Sequence, residues 1–223
     1  MSIREPILHP VPIAELRPTQ ITVGMREVRA KRHAWRAKLD KADADKANPD
    51  KTTKDKAGEF LGRHAIPVIA GPKGRSYVID HHHLCRALQE EGQETVLVNI
   101  VANLSALGHD AFWFNLDCRG WTHPFDETGR RRSYDDVPSA IADLCDDPYR
   151  SLAGELRFAG GYAKDTTPFS EFLWADFLRA RVKPKVVAMD FDAALAQALA
   201  LAKGPEADYL PGWCGPSQRQ AAT

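Results

Sequence analysis

No stretch of the 223 residues approaches the roughly 20 consecutive apolar residues that a membrane-spanning helix needs. The opening residues hold no apolar core of a secretory leader either, because Arg4, Glu5, His9 and Glu15 interrupt them. The expected location is therefore the cytoplasm, with no membrane partner. One sign of charge never dominates: 30 Lys and Arg face 30 Asp and Glu. That excludes a bulk polycation held on nucleic acid by global charge, but leaves room for a local basic patch. The four cysteines, Cys85, Cys118, Cys145 and Cys214, form no CxxC pair. They are expected to be reduced and mostly structural. Also missing are the GxxxxGK[ST] phosphate loop, the glycine-rich dinucleotide fingerprint and the HExxH zinc helix. No internal repeat is present.

What remains is an ordinary globular composition, with 43% apolar residues, enough for a core without staples. The β-branched, Pro-containing opening predicts extended chain or a short strand around Ile7–Leu16, with a turn at Arg17-Pro18. Met25–Leu39 reads as a basic helix, with Arg26, Arg29, Lys31, Arg32, Arg36 and Lys38 against the single acid Glu27. Asp40–Lys56 interleaves five Lys with five Asp and holds no large apolar residue, so a solvated helix end and mobile loop are expected over about 41–57.

Two apolar runs, Ile66–Ala70 and Ser76–Asp80, flank Gly71-Pro72-Lys73-Gly74-Arg75 and predict a β-hairpin. A helix should start at 81–83 and stop at Gly92, a residue suited to the left-handed turn that ends helices. TVLVNIV at 95–101 reads as a buried strand. From Leu104 the text is mainly helical. Asp110–Leu116, Ser139–Cys145, Ser170–Val182 and Phe191–Lys203 are the expected helices, and Asp146-Asp147-Pro148-Tyr149-Arg150 marks a helix end and a new turn.

The sharpest chemical feature is Asp80-His81-His82-His83 between strand and helix. Asp80 is expected to cap the helix by accepting from the N–H of His82 or His83. A helix start favours an anion such as phosphate and disfavours a protonated ring, so these histidines are expected to be neutral. Neutral rings could donate to an oxyanion or ligate a metal. Successive helical positions diverge by roughly 100°, so three adjacent rings cannot all reach one ion. The bland alternative is one core, one capping and one exposed histidine. Elsewhere, the basic helix could contact phosphates or be a solvated face. Glu27 could act as a general base or merely form a salt bridge. Asp146-Asp147 could hold Mg²⁺ but more often caps a helix. Gly160-Gly161-Tyr162 with Lys164 reads as a flexible loop. Arg130-Arg131-Arg132 reads as a solvated run, and Phe172, Trp174 and Phe177 as core.

YVIDHHHLCRAL resembles the strand–turn–helix signature of the ParB/sulfiredoxin fold, commonly Asp-Gly-His-His-Arg or Gly-Cys-His-Arg. IPVIAGPKGRSYVID is similar to that fold's hairpin, and VPIAELRPTQ to its first strand. RPTQITVGMREV, DDPYRSLAGELR and EFLWADFLRARV resemble the ParB-like nuclease subfamily over roughly Pro12 to Val182. The resemblance implies an α/β (α+β) nucleotide-binding scaffold, a small mixed sheet with helices, whose histidine turn cradles nucleotide phosphates. Its relatives include DNA-partition CTPases, an ATP-using sulfinic acid reductase, a free-serine kinase and nucleases. Asp80, His82 and His83 match the motif. His81 stands where the family has Gly, and Leu84 where it has the phosphate-clamping Arg. His rather than Cys fills the reductase's catalytic position, which argues against sulfinic acid reduction. No counterpart of the partition proteins' helix-turn-helix follows Leu104.

Together these readings set out the expected organisation: a ParB/sulfiredoxin-like domain over 1–103, a helical extension over 104–203 and a tail over 204–223. Three functions compete. In the first, an enzyme binds a nucleotide or phosphorylated ligand with Mg²⁺ and performs phosphoryl transfer or phosphodiester hydrolysis. Glu27, His82 and His83 would be catalytic, and Gln20, Arg26, Lys31, Asp80, His81 and Arg86 would bind the ligand. In the second, the domain is a non-catalytic binder of nucleic acid or a small ligand. In the third, Zn²⁺ or Fe²⁺ sits on His81 or His82 with a remote ligand such as His64 or Asp80. At least two of the three histidines should then line one cavity with Asp80. Replacing His82 should remove ligand binding at little cost in stability.

Overall fold

A computed structural model describes residues 8–44 and 53–216. The chain divides into two units. One comprises Met1–Ile21, Val28–Pro124 and Arg132–Leu144, the other Thr22–Glu27, Phe125–Arg131 and Cys145–Thr223. Most of 104–144 goes with the sheet, and Thr22–Glu27 goes with the C-terminal helices.

The first unit is built on a five-stranded mixed sheet in the order β1-β6-β4-β5-β2. Its strands are β1 (Leu8–Pro12), β2 (Leu16–Arg17), β4 (Ile66–Ala70), β5 (Ser76–Val78) and β6 (Thr95–Asn103). β4 and β5 form the expected antiparallel hairpin, Val68 opposite Val78 and Ala70 opposite Ser76. β6 returns parallel to β4, with a register shift at Val68/Ile69, and β1 closes the far edge antiparallel to β6. The two parallel pairs need crossovers, and helix α3 (His82–Glu90) supplies the one from the hairpin to β6. Its Leu84, Cys85, Ala87 and Leu88 are buried, as are Ile66, Val68, Val78, Val96 and Val98 of the sheet. Each such Leu, Ile or Val side chain contributes about 1.5–3 kcal/mol by leaving water.

Helix α4 (His109–Cys118) sets Phe112, Trp113 and Leu116 into a second cluster with Ile21, Ile69, Tyr77 and Val137. Gly71 in the hairpin turn is fixed by this packing. A Cβ there would lie 2.5 Å from the Tyr77 ring and 2.9 Å from Phe112.

The second unit joins a two-stranded parallel ribbon, β3 (Thr22–Val23) with β7 (Cys145–Asp146), to helices α5 (Pro148–Phe158), α6 (Ser170–Arg179), α7 (Pro184–Met189) and α8 (Phe191–Ala202). Ala194, Ala198 and Ala202 recur every fourth residue of α8 and are fully buried. Small residues at that spacing let a helix approach its neighbours closely. Trp174 is fully buried, stacks on Tyr162 at 4.4 Å and donates its indole N–H to the Pro211 carbonyl at 2.9 Å. Phe172, Trp174 and Phe177 are buried, as expected.

Several local expectations are corrected. Helix α1 runs from Met25 to Ala44, and a helix α2 (Thr53–Arg63) was not foreseen. The end of α1 is the solvated helix end expected there, α2 begins within the stretch expected to be loop or frayed helix, and 45–52 lies outside the described residues. Ser139–Cys145 is no helix but a single 3-10 turn, Ile141–Asp143, leading into β7. Asp146–Arg150 starts a helix instead of ending one: Asp147 is the N-cap of α5, accepting from the Tyr149 N–H at 2.9 Å, and Pro148 takes the first helical position. The Gly160–Tyr162 loop is tied down. The Tyr162 hydroxyl donates to the Ala153 carbonyl, and a Cβ on Gly161 would collide with Leu156. Only Cys85 is buried, its thiol pushed up to about 12 by that burial, whereas Cys118, Cys145 and Cys214 are exposed.

Candidate functional site

The histidine turn is built from the end of β5 outward. Val78 is fully buried, Asp80 exposed and His81 half-buried. His82 and His83 point into the protein, with His82 only 3% exposed. Asp80 does not cap as expected: its carboxylate accepts from the N–H of His81 at 2.6 Å, and the N-cap position belongs to His81 itself. His81 has φ 67° and ψ 22°, the left-handed region. That conformation is easy for glycine and costs an L residue roughly 1–2 kcal/mol, which is the physical reason a glycine would suit this position.

His82 is held by Thr19, whose backbone N–H donates to Nε2 at 3.1 Å. The Val78 carbonyl accepts from the other ring nitrogen and from the Thr19 hydroxyl at 2.7 Å. The Thr19 carbonyl in turn accepts from the Thr122 hydroxyl at 2.7 Å and the His123 N–H at 2.9 Å. Burial lowers the His82 pKa to about 4, with His81 adding to the effect and Asp80 and the Val78 carbonyl opposing it. The ring is neutral, as expected, but burial and not the helix dipole is the leading cause. Its Nε2 lone pair is already used, which counts against His82 as a metal ligand. His64, the remote ligand considered above, stacks on Phe60 at 4.1 Å with Nδ1 2.9 Å from the Phe60 carbonyl. Among the described residues, no group of three or more His, Cys, Asp or Glu side chains is placed to hold a metal.

The other expected ligand-binding residues are dispersed. Gln20 is buried, and its backbone bridges to His123. Arg86 pairs with Glu90 at 2.8 Å and donates to the Ile141 and Ala142 carbonyls, so it pins the 3-10 turn. On the basic helix, Arg32 pairs with Glu90 and Glu91, and Arg36 with Glu91, the two acids at the end of α3. Lys31 is half-buried. Arg26 lies 3.7 Å over the Phe191 ring, and its N–H donates to the Ser151 hydroxyl. Asp146 accepts from the Met25 N–H, and Asp147 is paired with Arg179 at 2.7 Å. The capping alternative for Asp146-Asp147 therefore accounts for both carboxylates.

Glu27 stands 3.4 Å from the guanidinium of Arg150. Arg150 was not singled out, because DDPYR was read as a turn. Once Asp147-Pro148 is seen as a helix start, Arg150 and Arg157 fall two turns apart on one face of α5, with Leu152 and Leu156 on the buried side.

A mixed sheet with a hairpin, a histidine turn and a crossover helix defines an α/β protein with a ParB-like domain. The chain belongs to the ParB-like nuclease family: the model of the family "Putative ParB-like nuclease" matches residues 9–180. Among solved structures it is similar to protein Atu1540 from Agrobacterium tumefaciens. That protein is 51% identical, and the match has a TM-score of 0.82 and covers 95% of this chain and 100% of that one. No curated protein matches the chain. Among the described residues, no helix is long and apolar enough to cross a membrane.

Proposed function

We propose that this ParB-like nuclease family member binds a nucleotide or other phosphorylated ligand at the start of α3, in the service of phosphoryl transfer or phosphodiester hydrolysis. The observation that carries the reading is His81. Partly buried His81 keeps a left-handed backbone at a helix start, beside the exposed Asp80, within a motif that resembles that of a phosphate-cradling fold. Outlying backbone geometry of this kind concentrates at ligand sites. Helix starts favour anions, and an imidazole N–H there can donate to a phosphate oxygen. Asp80 suits Mg²⁺ delivered with a nucleotide, because Mg²⁺ is commonly held by one or two carboxylates plus substrate phosphates and water. In this reading His82 shapes the turn through Thr19, and the ligand-facing roles pass to Asp80 and His81.

The test is calorimetric titration with ATP, with CTP and with a short single-stranded DNA, each with and without Mg²⁺. Wild type should bind at least one nucleotide. His81→Gly should keep the fold, since glycine suits the backbone there, and should lose tenfold or more in affinity. Equal affinity in the variant, or no binding by wild type, overturns the reading.

A further inference from the structure

The histidine turn is held from a distance. Thr19, His82 and Thr122 are all buried, and they come from three separate stretches of chain within the first unit. Thr122 lies 103 residues beyond Thr19, and its hydroxyl donates to the Thr19 carbonyl at 2.7 Å. The N–H of His123 donates to the same carbonyl at 2.9 Å, and Gln20 forms a parallel bridge with His123. Thr19 directs both of its own donors at the turn. Its hydroxyl goes to the Val78 carbonyl and its N–H to Nε2 of His82. The loop that carries Thr122 is itself anchored to the end of α4, where the Trp121 N–H donates to the Leu116 carbonyl at 2.9 Å. At the other end of this chain of bonds stands His81, with φ 67°. A residue other than glycine stays left-handed only where its surroundings over-determine it. Asp80 fixes the His81 N–H and the Cys85 N–H fixes its carbonyl, but both belong to the same turn and would move with it. The ring of His82 is tied to Thr19, outside the turn.

We propose that Thr122 is a positioning residue for the start of α3: by fixing Thr19 it fixes the anchor of the His82 ring, and so keeps His81 left-handed. The carbonyl that Thr122 holds and the N–H and hydroxyl that hold the turn sit on one residue, so moving the first moves the others. Geometry at a binding turn is only as well defined as the hydrogen bonds behind it. A Thr122 that served stability alone would change the melting point and nothing at His81. The inference rests on the α3 reading only for what the turn binds, since the strain at His81 is present without a ligand.

The experiment joins a denaturation series to a titration, both on the full chain. Thr122→Val removes the hydroxyl, and it should fold because the His123 N–H still holds the Thr19 carbonyl. Chemical denaturation follows wild type, Thr122→Val, His81→Gly and the double variant. Glycine relieves left-handed strain. Thr122→Val loosens the tie and lets part of that strain relax beforehand. His81→Gly should therefore shift the denaturation midpoint less favourably beside Thr122→Val than in wild type. Thr122→Ser keeps the hydroxyl and should restore the wild-type shift. In calorimetric titration with ATP and with CTP, each with Mg²⁺, Thr122→Val should lose affinity severalfold and Thr122→Ser should bind as wild type does. Equal midpoint shifts in the two backgrounds mean that the sites are uncoupled and overturn the proposal. So does Thr122→Val binding as tightly as a wild type that binds. A wild type that binds neither nucleotide overturns the α3 reading, and the denaturation series then decides this proposal by itself.

Discussion

The backbone N–H of Thr19 donates to Nε2 of His82 across 3.1 Å, joining the loop after β2 to the first turn of α3 inside the protein. His82→Ala would leave a buried donor without its acceptor, at a cost of about 1–3 kcal/mol. The expected outcome is a clear fall in melting temperature. This reverses the sequence-based expectation that His82 could be removed at little cost.

The same ring makes stability depend on pH. Its pKa lies near 4 in the folded protein and near 6.5 in the unfolded chain. Between those values the unfolded chain binds a proton that the folded protein does not, so the contribution of His82 is full above about pH 6.5 and falls as pH drops towards 4. The loss is up to about 3 kcal/mol, taking 1.36 kcal/mol per unit. Denaturant melts of wild type and His82→Gln over that range should show wild type losing more stability on acidification. Parallel curves would refute the assignment.

Arg179 is the partner of Asp147, whose side chain is 1% exposed. Burial raises the Asp147 pKa, and Arg179 opposes that shift. Arg179→Met leaves a buried carboxylate uncompensated and should destabilise by about 3 kcal/mol. Adding Asp147→Asn keeps a good N-cap and removes the orphaned charge. The double variant should therefore recover at least half of the loss in chemical denaturation.

Gly71→Ala is expected to destabilise by about 1–3 kcal/mol, because the methyl group meets the rings of Tyr77 and Phe112 with no room to move. Gly74→Ala is the control. Its Cβ would meet nothing, so any cost there comes from its φ of +69° alone. Thermal melts of the two variants separate overpacking from backbone strain.

Much of the fold was legible in order. The hairpin, the helix starting at His82 and the strand over Thr95–Asn103 each carry a local signature: two apolar runs around Gly-Pro-Lys-Gly, a Gly92 stop and a β-branched run. Helix α2 was missed because its Lys- and Asp-rich start resembles solvated loop, and its apolar face is little more than Phe60 and Leu61. α5 was missed because Asp-Asp-Pro can end one element or begin the next. Which it does depends on Arg179, which is 32 residues away and ion-paired with Asp147.

The sequence by itself determined that Asp80 and three histidines sit between a strand and a helix, since period, propensity and stop signals are local. It also carried the family in its motifs. Only the tertiary structure decided what each histidine does. A ring's role is set by what lies against it in space: Thr19 and Val78 claim His82, while His81 takes the left-handed backbone at the helix start. Nor could sequence spacing reveal Arg150, on which Glu27, Phe172 and Gly154 converge from three elements of the fold.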